Sequence, residues 1–130
     1  MSAKKVSAVL VVFGLAMSIC GCAPSIVSSD AGVYASGKLY AVASRDMTAV
    51  YNATVKALEQ LELDIVEKPK DVFYAKIVAK GTDGKNITVR MKPKEGGGTD
   101  LTIRVGTFGD RHRSSVIYEH IQKNLDAGEK

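Results

Sequence analysis

Apolar and polar positions along this chain follow two periods, and the places where one gives way to the other mark its elements. From Gly37 to Ala43, Leu39, Ala41 and Ala43 alternate with Lys38, Tyr40 and Val42, which predicts a short strand. Met47, Val50, Thr54, Ala57, Leu58 and Leu61 then recur at helical spacing and predict a helix over 47–62, with Ser44 or Asp46 as its N-cap. Ala53 and Ala57 favour helix and allow close packing on a sheet. Leu63 to Glu67 reads as a strand stopped by Pro69. Over Asp71 to Lys80, Phe73, Ala75, Ile77 and Ala79 point one way, and Val72, Tyr74, Lys76, Val78 and Lys80 the other. Asp83-Gly84 signals a hairpin. Asn86 to Lys92 pairs back with Ile87, Val89 and Met91 inward, and Lys94 to Gly98 turns the chain again. Thr99 to Thr107 is the last strand, with Leu101, Ile103 and Val105 inward. Gly106-Thr107-Phe108-Gly109 closes the sheet. Asp110 or Ser114 caps a helix over 110–126, whose apolar stripe is Val116, Ile117, Ile121 and Leu125, with Tyr118 at its margin.

The order is strand, helix, four strands, helix. An antiparallel sheet with two helices on one face buries these stripes, so the expected class is α+β, two-layer, β-α-β-β-β-β-α. That order resembles the TATA-binding-protein-like architecture, a likeness of topology that carries no implication of DNA binding.

Before the domain, Lys4 and Lys5 precede an apolar run from Val6 to Ile19, followed by Cys20-Gly21-Cys22-Ala23-Pro24. A positive start, an apolar middle and a small-residue cut site make a secretory signal. The run falls short of the about 20 residues that a membrane span takes. The stretch resembles a bacterial lipoprotein signal, in which the thiol after the cut is diacylated. Cys22 has Gly21 just before it and Ile19 three before it, as that box requires, whereas Cys20 follows Ile19 directly. The resemblance therefore implies lipidation of Cys22, loss of Cys20 with the signal, and attachment to the membrane through N-terminal acyl chains. Each buried methylene contributes roughly 0.8 kcal/mol, so two or three chains hold firmly. Ala23 in place of an aspartate implies sorting to the outer membrane, facing the periplasm. The expected organisation is a signal peptide at 1–21, a Ser-, Ala- and Gly-rich tether at 22–36, one α+β domain at 37–126 and a frayed tail at 127–130.

Composition changes this picture little. The 130-residue chain carries a net charge of +4, and Lys4 and Lys5 would leave with the signal, so the mature domain is only mildly basic. Its compartment argues against nucleic acid as a partner, while an anionic lipid or polysaccharide is a physically reasonable neighbour. A single lipidated cysteine would leave no internal disulfide.

Candidate binding residues lie on the outward face of the hairpins. Lys76, Lys80, Arg90, Lys92 and Arg104 interleave there with Tyr74, Thr88 and Thr102. Such residues also suit the wet side of any two-layer domain. Gly106 to Gly109 followed by Asp110-Arg111-His112-Arg113 is the other cluster, because a glycine turn entering a helix can present N–H groups to an anion. Arg111 and Arg113 oppose the helix dipole unless Asp110 compensates, and the spacing is not a Walker or dinucleotide fingerprint. His112 and His120 stand eight residues apart on one helix, too far to share a metal. No nucleophile, base and orienter assemble from position alone, so neither catalysis nor a cofactor is expected.

The mature chain resembles a family of small bacterial lipoproteins of unassigned function. The residues carrying the likeness are the box at Cys22, Tyr40 in the first strand, the alanine-rich stretch from Ala53 to Ala57, and Arg104 to Asp110, which reads Arg-Val-Gly-x-x-Gly-Asp. The expectation is an envelope lipoprotein that binds another envelope protein through its open sheet face or edge; the alternative is a binding module for lipopolysaccharide or a similar anion. The anchor gives the first test. Cys22→Ser should abolish lipid labelling and membrane fractionation, and Cys20→Ser should leave both intact; labelling that survives Cys22→Ser contradicts the assignment.

Overall fold

The computed structural model describes residues 32–128. The signal at 1–21 with Cys20, the lipidation candidate Cys22, the tether up to residue 31, and the last two residues of the expected tail lie outside the described residues. Strands β1 (Val33–Ala35) and β2 (Lys38–Ala43) precede helix α1 (Met47–Gln60); β3 (Asp64–Glu67), β4 (Ala75–Lys80), β5 (Asn86–Pro93) and β6 (Thr99–Val105) follow, and helix α2 (Arg111–Gly128) ends the domain. All strand pairings are antiparallel, in one six-stranded sheet of order β1-β2-β6-β5-β4-β3. The expected α+β class and element order are borne out.

The inward faces are sealed. Ile77, Ala79, Ile87, Val89, Met91 and Ile103 are wholly buried, as their period of two requires. Both helices lie over that side and against each other: α1 reaches β3, β4 and β5, and α2 reaches β2 and β6. β2 and β3 sit near opposite edges of the sheet, so α1 must cross it to connect them. Asp46 starts α1, its Oδ2 accepting from the Ala49 amide at 3.3 Å. The helix ends with Leu63 N–H donating to Leu58 O and Glu62 N–H to Glu59 O, a 6→1 and 5→2 pair. That closure puts Glu62 in the left-handed region, at φ 58°, where glycine is usual. Asn124 on α2 donates to Ala53 O at 3.2 Å and to Gln60 Oε1 at 3.1 Å, tying the helices together. Arg45, before α1, donates to Leu125 O near the C-terminal end of α2.

Several local readings change. Residues 33–36 were expected in the tether; instead Val33–Ala35 pairs with β2 as a short edge strand, through a turn with Ser36 and Gly37 at positive φ. Phe73 was expected inward, yet it is 78% exposed. Asp71 N–H donates to Tyr74 O at 2.7 Å, closing a turn over 71–74 that breaks the alternation before β4 begins. Thr107 lies beyond β6, and Ala127 and Gly128 remain helical rather than frayed. On α2 the buried stripe is Ser114, Ile117, Tyr118, Ile121 and Leu125, with Val116 only half-buried. Asp110, not Ser114, caps this helix: its Oδ1 accepts from the Arg113 amide at 3.0 Å.

Ile121 is wholly buried beneath both layers. Removing a buried isoleucine to alanine costs about 2–5 kcal/mol, so Ile121→Ala should strongly lower the melting temperature of the full chain. An unchanged melting curve would mean that α2 does not seal the sheet.

Candidate binding surface on the open sheet face

No helix among the described residues covers the second face of the sheet. Residues directly paired across antiparallel strands share a face, so the register reads out its rows. One row runs Val33, Tyr40, Thr102, Arg90, Lys76 from the β1 side towards β4. A second runs Val42, Asp100, Lys92, and a third places Arg104 opposite Thr88 and Thr88 opposite Val78.

This register sorts the five candidate cations of the hairpins. Lys76 and Arg90 are direct neighbours, and Arg104 lies one row away, as expected. Lys92 instead faces Asp100, and Lys80 faces Asp64 on β3. Lys76 has a partial counter-ion too, its Nζ 3.9 Å from Glu67 Oε2. The face is therefore not one uniform positive patch. Its free charge gathers at the end near the Gly106–Gly109 turn, in a concavity of about 750 Å³ lined by Lys38, Lys85, Arg90 and Arg104, with Thr88, Thr102 and Phe108.

Three parts build that concavity. β2 brings Lys38, the β4–β5 hairpin brings Lys85, and the Gly106–Gly109 loop forms its rim. Arg104 fixes the loop: its Nε donates to Gly106 O at 3.3 Å and its Nη2 to Thr107 O. Gly109, at φ 85°, packs so closely that a Cβ there would overlap the Gly37 carbonyl oxygen and the Tyr34 hydroxyl. Phe108 stands out from this pinned loop at 93% exposed. Lys38, Lys85 and Arg90 make no side-chain hydrogen bond or ion pair among the described residues. Beside the concavity lies an apolar depression of about 490 Å³, lined by Val33, Tyr40, Val42 and Leu101 with Asp100. Thr102 borders both.

Arg111 and Arg113 do not line the concavity. The Arg111 guanidinium sits 6.0 Å from the centre of the Tyr34 ring, a cation–π distance. Arg113 Nη1 donates to Asp83 Oδ2 at 2.7 Å, joining the first turn of α2 to the β4–β5 hairpin. The Lys85 amide, which Asp83 accepts at 3.2 Å, and then the Arg113 guanidinium hold the Asp83 carboxyl below its ordinary range. His112 and His120 both lie on α2, and among the described residues no group of His, Cys, Asp and Glu could hold a metal ion. Also among the described residues, no helix is long and apolar enough to cross a membrane.

Sequence reasoning missed Lys38, Lys85 and Phe108. The alternation of Lys38 with Leu39 marked it as outward, but only the pairing of β2 with β6 puts it beside Arg104. Over residues 5–124 the chain matches the family described as protein of unknown function (DUF3568), and it belongs to that family. No curated protein matches it.

Asp83 carries a pH prediction. A carboxyl whose folded-state pKa is lowered contributes stability above its unfolded value and loses it as pH falls through the folded value. Melting temperature should therefore drop more steeply below pH 3.8 in the wild type than in Asp83→Asn. Parallel curves for the two proteins would mean that the Arg113–Asp83 tie does not act in solution.

Proposed function

We propose that this chain is a lipid-anchored envelope protein without catalytic activity, an accessory or assembly protein that holds another envelope protein against its open sheet face. The observation that carries the reading is the division of the sheet. One side is sealed by two helices; the other joins a cationic concavity to an apolar depression, the mixed surface that protein interfaces use. The resemblance at Ile19 to Cys22 supports acylation of Cys22, and Ala23 supports placement at the outer membrane, facing the periplasm. No cofactor is needed for such a role.

A second reading, a module for an anionic envelope component such as lipopolysaccharide, is favoured by one feature: Lys38, Lys85 and Arg90 converge, and none of them forms an ion pair among the described residues. Salt separates the two, because polyanion binding through exposed charge is screened over about 10 Å at 0.1 M salt and an apolar contact is not. A photo-crosslinking side chain at Thr102 in the full chain should give a discrete protein adduct in intact envelopes that persists at high salt, while the same group at Lys56, on α1, should not. Absence of a Thr102-specific adduct contradicts the protein-partner reading. Retention on lipopolysaccharide-coated beads that is strong at low salt and lost in Lys76→Glu with Arg90→Glu would put the second reading in its place.

A further inference from the structure

The open face has a direction, and the direction describes what it binds. At one end Lys38, Lys85 and Arg90 carry positive charge, and none of the three forms an ion pair at contact distance among the described residues. Asp83 is the one carboxylate among the residues lining that end; Arg113 grips it, and Lys85 adds a weaker attraction, so Lys38 and Arg90 carry the uncompensated charge. Like charges gathered this way repel one another until an anion arrives. At the other end Tyr40, Val42 and Val33 lie 44%, 38% and 65% exposed around the second depression. Asp100 stands at that end opposite Lys92, so that end has no excess of positive charge. Thr102 borders both depressions and stands between Tyr40 and Arg90 in one row, so the two adjoin across β2, β6 and β5.

We propose that the face receives an acidic segment of the partner protein, its carboxylates seated among Lys38, Lys85 and Arg90 and an adjoining aromatic or aliphatic side chain over Tyr40 and Val42. Charge complementarity selects carboxylates at the first end, and the adjoining depression beyond Thr102 suits an apolar residue a short reach away. Arg90 offers the planar fork that pairs with a carboxylate through two parallel hydrogen bonds. Phe108, held outward by the pinned loop, forms the wall at the cationic end. The inference rests on the reading of the open face as a protein interface and adds the chemistry of what docks there.

The probes are polyglutamate, a random copolymer of glutamate and tyrosine, and lipopolysaccharide, each titrated against the full chain in a non-ionic detergent. The copolymer should bind more tightly than polyglutamate. Arg90→Glu should weaken both about tenfold, and Tyr40→Ser should remove the copolymer's advantage while leaving polyglutamate unchanged. Both side chains are exposed, so melting temperatures should stay close to wild type. Equal affinity for the two polymers, indifference to both substitutions, or preference for lipopolysaccharide would overturn the proposal. Failure here together with a Thr102-specific adduct in envelopes would reject the acidic segment and keep the protein interface; loss of the adduct would reject the interface itself.

Discussion

Two helices have to seal one face of a six-stranded sheet, and the rest of the molecule follows from that constraint. Burying an isoleucine or valine side chain contributes about 1.5–3 kcal/mol, and β4, β5 and β6 fully bury such residues at alternate positions along one side. α1 covers the half towards β3 and α2 the half towards β2. Neither helix can serve the other face without exposing this core. The second face is therefore wet by construction, and what stands on it is free to serve binding.

The ties that hold the seal also shape the open side. Arg113 comes from the first turn of α2 and grips Asp83 on the β4–β5 hairpin, which carries Lys85. Arg104 is an outward strand residue, yet two of its donors close the loop leading into α2. The same contacts that set the helix on its sheet therefore place the rim of the concavity. Substitutions at these two arginines would act on stability and on the surface together, whereas Lys38, Lys85 and Arg90 can be changed with little effect on packing.

Strict alternation is a local signal, which is why Ile77, Ile87, Val89 and Ile103 could be placed inward from their neighbours alone. Phe73 obeyed the same alternation and still ended outside, because the Asp71–Tyr74 hydrogen bond makes a turn that no periodicity encodes. β1 was hidden in a small-residue stretch, since three residues give too short a pattern. The surface charges were legible as outward but not as a group. Lys92 lies opposite Asp100 and Lys80 opposite Asp64, and only strand register reveals either juxtaposition. Lys38 meets Arg104 through strands far apart in sequence. Arg113 looked like an anion ligand in a glycine turn, and folding brings it an aspartate from a distant hairpin.

The central claim is that the open face, and not the helical one, is covered in the cell. Single cysteines introduced by Thr102→Cys and Lys56→Cys can be reacted with a maleimide in the purified full chain and in intact envelopes. Both should react when the protein is purified. In envelopes Thr102→Cys should be shielded while Lys56→Cys still labels. Equal labelling at Thr102→Cys in both settings, or shielding confined to Lys56→Cys, would contradict the account.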